Sequence, residues 1–285
     1  MPLKHAGFSA FQWGYNNLGA PSATPGTLIT AGGSNAEGSW TQIASGANIA
    51  NDVYGIGLWL TALSGTGDRQ LLLDIGVDPA GGTSYTAVVS NMVVGNFPTA
   101  VTAINSGTRF LFPLFIKAGS SVAVRAQGNN VTGPTFRVVA NFFGHPTRPE
   151  SALVGTFAET IGTITNSQGV GFTPGNNAWG SYQLLGATVA PLWWWQGCYS
   201  INNGTITAEY TYIEFSYGDA SNKIPIMTLL HAGTTAEVVC DMINANQNIF
   251  NCYEPVPAGT NIYVRGFCQN APDTGYNAVM IGIGG

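Results

Sequence analysis

Short apolar segments separated by turn-forming sequences run along the chain from about residue 25. In the first half they are Ile56–Leu63, Gln70–Val77, Ala87–Val94, Phe110–Ile116, Val122–Ala126 and Phe136–Phe143. Glycine-containing turns at 65–68, 78–82 and 117–119 lie between them, and apolar and polar residues alternate within several segments. This spacing predicts an antiparallel β-sandwich or barrel. Little helix is expected, because Pro and Gly interrupt every window long enough to form one.

The second half repeats the first. Gly33–Trp40 resembles Gly175–Tyr182 at an offset of 142 residues, and Ala118–Arg125 resembles Ala258–Arg265 at an offset of 140. The further strands expected here are Leu192–Ile201, Ala208–Tyr217, Ile224–Leu230, Glu237–Ile243, Ile262–Phe267 and Ala278–Ile283. The repeat is far too long for a solenoid, so it predicts two tandem all-β domains related by internal duplication.

Two prolines within residues 144–150 mark the expected boundary between the domains, because proline cannot continue a strand interior. We therefore predict a first sandwich over 25–147 and a second over 148–285. Residues 1–24 show no strand or helix period but are rich in aromatics. Phe8, Phe11, Trp13 and Tyr15 indicate an arm that docks on its own domain, on a neighbouring subunit or on a larger assembly.

Charged side chains are unusually scarce. They make up 8% of the chain, against about 25% in an average soluble protein, whereas apolar residues make up 45%. A free monomer normally keeps a charged surface, so we expect a homo-oligomer that covers much of its surface with other subunits. The alternative is a secreted β-protein kept soluble by Asn, Thr and Ser.

The same composition excludes several partners. The net charge is −5 with only three lysines, so no basic patch for nucleic acid is expected. No apolar run reaches the ~20 residues that cross a bilayer, so no membrane association is expected. The N-terminus lacks the apolar stretch of a secretory signal. Either the protein is not exported by that route, or its signal has been removed.

Cysteine and histidine show no metal-binding pattern. Cys198, Cys240, Cys252 and Cys268 all lie in the second half; we expect free, buried thiols, although three disulfide pairings are possible. The three histidines lack metal-ligand spacing. No nucleophile elbow or nucleotide-binding loop is present, so no metal, cofactor or catalytic residue is predicted.

Two carboxylates recur at equivalent strand positions, Asp74 and Glu214. Together with Asp78 and Asp219 they are the nearest approach to the paired acids of a glycosidase. The other interpretation is structural. Arg125 and Arg265 also align at the 140 offset, and we predict that they pair with Asp74 and Glu214 as a clamp repeated in both domains.

Aromatic residues supply the last candidate site. Trp193, Trp195 and Tyr199 fall on one face of a predicted strand, because alternate residues point the same way. They could form a subunit interface, part of the core or a platform that stacks on sugar rings.

The order of these pieces resembles β-sandwich modules of tailed-bacteriophage virion proteins. The Gly-Ser-aromatic segments, Asp74–Asp78 before a glycine-rich turn, and Phe112–Gly119 leading into Val122–Arg125 carry the likeness. It covers about 33–143 and 175–285, and it departs from the pattern at Tyr253–Pro257.

This resemblance implies jelly-roll topology and a non-enzymatic virion protein assembled in the host cytoplasm, commonly as a trimer. Its expected role is a capsid-surface decoration, cement or spike protein that contacts other virion proteins such as the major capsid protein. The alternative is a lectin-like fibre or tail module that binds host-surface glycan.

Overall fold

The computed structural model describes residues 13–19, 25–61, 69–97, 109–129, 131–144, 154–165, 167–201, 210–232, 243–244, 252–269 and 276–285. All regular elements among these residues are β-strands, which confirms the all-β prediction. Among them there is also no helix long and apolar enough to span a membrane.

Nine strands lie in the first half. They are β1 (Trp13–Asn16), β2 (Thr27–Thr30), β3 (Thr41–Ala44), β4 (Val53–Thr61), β5 (Arg69–Asp78), β6 (Thr86–Phe97), β7 (Arg109–Phe112), β8 (Ser121–Gly128) and β9 (Thr135–Gly144).

The second half contributes the remaining strands of the described residues. They are β10 (Phe157–Ile161), β11 (Thr163–Ile164), β12 (Gln168–Phe172), β13 (Gly175–Asn176), β14 (Gln183–Ala187), β15 (Leu192–Ile201), β16 (Tyr210–Gly218), β17 (Lys223–Ala232), β18 (Ile243–Asn244), β19 (Cys252–Val256), β20 (Asn261–Cys268) and β21 (Tyr276–Gly284).

The strand order is that of two jelly rolls. In the first roll, β2-β9-β4-β7 form one sheet and β3-β8-β5-β6 the facing one. In the second roll, β12-β21-β15-β19 correspond to β2-β9-β4-β7. The facing strands β14-β20-β16-β17 correspond to β3-β8-β5-β6. Both rolls thus have the eight-stranded, two-sheet arrangement of a jelly roll.

The two rolls share a sheet. Sheet I contains β1, β2, β9, β4 and β7, and sheet III contains β13, β14, β20, β16 and β17. Sheet II, with eleven strands, joins the inner halves of both rolls. The joint is a parallel pairing of β10 with β6, in which Ala158 lies opposite Val89.

Two apolar cores fill the space between the sheets. The first core lies between sheets I and II, and it includes Cys198, Val279, Ile281 and Ile283 from the second half of the chain. The second core lies between sheets II and III, around Trp195 and Phe215. Because residues of the second roll complete the first core, burial of apolar surface holds the rolls together.

One predicted strand ends earlier than expected. The apolar run 110–116 predicts a single strand, but β7 stops at Phe112, because the following Pro113 has no backbone N–H for the ladder. Beyond it, Leu114 and Ile116 form isolated bridges to Gly155 and Val53. The predicted strand Glu237–Ile243 lies outside the described residues except for Ile243.

Candidate functional site

On the outer face of each roll, one arginine forms an ion pair with a carboxylate of the neighbouring strand. In the first roll Arg125 projects from β8, opposite Asp74 on β5. Its Nε donates to Asp74 Oδ2 at 2.8 Å and its Nη2 donates to Glu37 Oε1 at 2.9 Å. The guanidinium also lies over the ring of Trp40, 4.5 Å from the centroid, at a distance where cation–π attraction contributes.

The second roll repeats this arrangement with different neighbours. Arg265 on β20 lies opposite Glu214 on β16, and its Nε and Nη2 donate to the two carboxylate oxygens at 2.9 and 3.1 Å. The guanidinium lies between Trp179 and Tyr182, 4.5 and 4.3 Å from their ring centroids. An aromatic ring at Trp179 thus takes the position that Glu37 has in the first roll.

The Gly-Ser-aromatic segments bring these rings to the arginines. Gly38 N donates to Ala126 O and Gly180 N donates to Gly266 O, both at 2.8 Å. A Cβ on Gly38 would lie 2.8 Å from Gly32 N, and one on Gly180 would lie 2.7 Å from Thr173 O. Only glycine therefore fits, and the residues that follow close the loop over the guanidinium.

The environment of Glu214 keeps it ionised. Burial raises its pKa, but hydrogen bonds from Arg265, Tyr182 and Ser216 together lower it by more, so the net pKa is below its ordinary value. Tyr182 Oη donates at 2.8 Å and Ser216 Oγ at 3.0 Å. A carboxylate held by this many donors is a poor proton acceptor or nucleophile, and its role as a structural clamp remains our prediction.

The other two acids of the glycosidase hypothesis stabilise turns. Asp78 accepts backbone N–H groups of Ala80 and Ser84, each at 2.9 Å. Asp219 accepts those of Ser221 and Asn222 at 2.8 and 2.7 Å. Carboxylates used in this way are committed to local backbone geometry.

The structure corrects the sugar-platform interpretation of Trp195 and Tyr199. Both are buried in the second core. Trp195 Nε1 donates to Glu254 O at 2.7 Å, and Tyr199 Oη lies 3.0 Å from His231 Nδ1. Trp193 is half-buried. Alternation holds from Trp194 to Tyr199, but an irregularity between Leu192 and Trp194 places Leu192 in the second core with Trp195. The face with Trp195 and Tyr199 is covered by sheet III, so a sugar cannot reach these two rings.

The predicted docking arm is described only in part. Phe8 and Phe11 lie outside the described residues, and so does the side chain of Trp13. The backbone of Trp13 and Tyr15 belongs to β1, which pairs with β9 of its own roll. Tyr15 stacks on Phe142 at 6.0 Å between centroids, and burial raises the pKa of its phenol.

Two of the four cysteines are described with their side chains. Cys198 and Cys268 are free and buried, and burial raises the pKa of the Cys198 thiol to about 12. Cys240 and the Cys252 side chain lie outside the described residues. Among the described residues, no group of His, Cys, Asp and Glu could hold a metal ion.

A cleft of about 380 Å³ lies where the two rolls meet. Its wall combines Leu72, Asn91 and Gln127 of the first roll with residues 159–165 and 186–187 of the second half. Glu159 is the only acid among its described lining residues. Burial raises the pKa of Glu159, and a hydrogen bond from Val189 N lowers it. One acid flanked by amides does not supply the acid pair of a glycosidase.

Several large apolar side chains are exposed on the outer face of sheet III. We call this group the sheet III patch, and it consists of Tyr210, Tyr212, Leu230, Leu184 and Trp179, all of them exposed. Their positions on β14, β16, β17 and the adjoining loop place them on the same side as the Arg265 cluster. Contiguous exposed apolar residues of this kind mark interaction sites.

Sequence reasoning named Asp74, Arg125, Glu214 and Arg265, and it counted Tyr210 and Tyr212 among the aromatic candidates, but it did not predict an exposed patch on sheet III. A signal was present: Tyr210 and Tyr212 alternate in phase with Glu214 along β16, so they share its outward face.

The comparisons with known proteins are distant. The sequence matches no protein-family model and no curated protein. Among solved structures, the STIV MCP is 10% identical over 95% of this chain and 96% of that chain, with a TM-score of 0.39. N-glycanase F (PNGase F) is 11% identical over 95% and 96%, with a TM-score of 0.37. The CBM22-1-CBM22-2 tandem domain of Paenibacillus barcinonensis Xyn10C is 8% identical over 85% and 82%, with a TM-score of 0.23. At these values none of the three carries an argument about what this chain does.

Proposed function

We propose that this chain is a non-enzymatic structural component of a virus particle, and that it works as a homo-oligomer in the capsid or on its surface. The observation that carries the proposal is the distribution of polarity over the two jelly rolls. Arg125 and Arg265 are paired with Asp74 and Glu214 of the same chain. The outer face of sheet III, in contrast, exposes large apolar side chains. A surface of this kind suits coverage by other subunits.

Several further observations support the proposal. Jelly rolls are a recurrent architecture of capsid proteins, although lectins also use them. The candidate acids Asp74, Asp78, Glu214 and Asp219 are each held by arginine or by backbone donors. The sequence also resembles virion modules in the segments that form the Arg125 cluster.

The specific role in the particle, the oligomeric state and the place of assembly are proposed from that resemblance. We propose a decoration, cement or spike protein, a trimer in preference to other oligomers, assembled in the host cytoplasm against other virion proteins. Trp195 and Tyr199 are buried, so they do not support the alternative in which the chain binds host-surface glycan.

Immunogold labelling tests this function directly. Antibodies raised against the purified chain should label the surface of particles isolated from the source culture, in a regular arrangement seen by negative-stain electron microscopy. Complete particles that carry no label, and no copy of the chain by mass spectrometry, would overturn the proposal. So would cleavage of a polysaccharide by the purified chain.

A further inference from the structure

The strand registers align β5 and β8 of the first roll with β16 and β20 of the second at a constant offset. Asp74 lies opposite Arg125, as Glu214 lies opposite Arg265. With that alignment, Leu72 on β5, which faces Val93 on β6, corresponds to Tyr212 on β16, which faces Leu230 on β17. These two cross-strand pairs therefore occupy the same place in the two jelly rolls.

The two pairs differ in what covers them. Leu72 and Val93 are 3% and 1% exposed, whereas Tyr212 and Leu230 are 41% and 49% exposed. Leu72 shares the wall of the junction cleft with the end of β10 and with residues 162–165, which follow it, and β10 itself pairs with β6. In the described part of the chain, β17 is an edge strand with no such neighbour.

The segment that covers Leu72 has a counterpart at the other end of the chain. β10 pairs with β21 so that Phe157 lies opposite Gly284. β1 pairs with β9 so that Trp13 lies opposite Gly144, which is the residue equivalent to Gly284. β1 is therefore the equivalent of β10, but its second edge pairs with no other described strand.

The outer faces of β15 and β4, which are equivalent strands of the two rolls, also differ in exposure. Cys198, opposite Val279 on the outer face of the second roll, is fully buried against the first core. Its equivalent is Trp59, opposite Val139, which is 36% exposed. At these positions the first roll exposes a residue, Trp59, whose equivalent the second roll buries, and the second roll exposes a pair, Tyr212 and Leu230, whose equivalents the first roll buries.

We propose that the two exposed surfaces bind each other between copies of this chain. β1 of one copy adds in parallel to the edge of β17 in the next, with Gly14 opposite Met227 as Ala158 lies opposite Val89. The Trp59 face then packs beside the next copy's sheet III patch. The inference rests on the proposed function, since it specifies the homo-oligomer. It makes the interface head-to-tail and repeats the intrachain junction at every subunit contact.

Two physical features favour this contact. An edge strand presents unpaired N–H and C=O groups that template another strand, and the parallel pairing of β10 with β6 is the pattern that the added strand repeats. Each flanking surface exposes large apolar side chains, Tyr212 and Leu230 on one and Trp59 on the other, so association removes apolar area from water. Because the two surfaces differ, the contact is heterologous and it closes into a ring or continues as a filament.

Single substitutions test the two surfaces separately, with mass photometry and analytical ultracentrifugation of the full chain as readouts. Leu230→Asp places a charge in the sheet III patch, and Trp59→Glu places one on the opposite surface. Each should weaken association about thirtyfold or more, as loss of an interface hot spot does. Val131→Asp, at a residue 89% exposed elsewhere on the first roll, is the matched control and should assemble like the wild type.

Mixing the variants tests the head-to-tail geometry. Leu230→Asp and Trp59→Glu each have one damaged surface, so each alone should be monomeric. Together they retain one intact pair of surfaces and should form a heterodimer that grows no further. Circular dichroism and thermal melting check folding. If Trp59→Glu does not fold, Asn141→Lys on the same face of sheet I replaces it.

Several outcomes would overturn the inference: a wild-type chain that stays at 29.8 kDa, Leu230→Asp with the oligomeric mass of the wild type, Val131→Asp that fails to assemble, or a mixture without heterodimer. Particle labelling distinguishes this failure from failure of the proposed function. Labelled particles together with an assembly-competent Leu230→Asp would leave the virion role standing and remove only this interface.

Discussion

Glu214→Gln probes the cluster around Arg265 most directly, because it removes the charge and keeps the shape. The carboxylate accepts four hydrogen bonds, two from Arg265 and one each from Tyr182 and Ser216. An amide retains one acceptor oxygen and turns an NH₂ group toward the remaining donors. Arg265 then loses its charged partner, although its side chain is 23% exposed and water recovers part of the loss.

The size of the effect follows from these contacts. A hydrogen bond to a charged group contributes about 1.5–3 kcal/mol, and more than one is lost. Solvent access to Arg265 reduces the sum, so we expect about 2–4 kcal/mol of destabilisation at neutral pH. Urea unfolding followed by tryptophan fluorescence and circular dichroism measures it. The matched variant Glu37→Gln removes the exposed partner of Arg125 and should cost less than about 1 kcal/mol.

The pH dependence provides a second check. The folded pKa of Glu214 lies below its ordinary value of 4.5. Its pairing therefore stabilises the fold above that value, and the stabilisation is lost as the pH falls through the lower, folded pKa. The gap between wild type and Glu214→Gln should close over that range. A variant within about 0.5 kcal/mol of wild type at neutral pH, or a gap that persists in strong acid, would refute the clamp.

Three further predictions concern stability and reactivity. Trp195→Ala should destabilise the chain by about 3–5 kcal/mol in urea unfolding, because the indole is fully buried; a change under about 1 kcal/mol would contradict its place in the core. Gly180→Ala should lower the melting temperature, because its Cβ would lie 2.7 Å from Thr173 O. The control Gly171→Ala, whose nearest contact would be at 3.7 Å, should not lower it. Equal melting temperatures for the two variants would count against the tight loop. Cys198 should resist iodoacetamide in the folded chain at mildly alkaline pH and react after unfolding, because burial raises its thiol pKa to about 12. Peptide mass mapping measures the modification, and a modified Cys198 in the native protein would contradict its burial.

Local pattern was sufficient to predict the strands and to align the repeats. Turn residues and alternation locate β5, β8, β16 and β20 to within a few residues, because a strand's limits depend on its own sequence. The 140-residue offset placed Asp74 with Arg125 and Glu214 with Arg265 at matching positions. The structure brings each acid into contact with its arginine.

What the sequence by itself determined, then, was the class of fold, the approximate strands and the scarcity of charge. Only the tertiary structure decided which face of each strand is covered. Period-2 alternation separates Trp194 from Trp195 but does not say that one packs on the first core and the other lies in the second. Nor does it reveal the parallel joint between β10 and β6. Both depend on contacts between residues far apart in the chain, and these contacts leave Tyr212 exposed where its equivalent, Leu72, is buried.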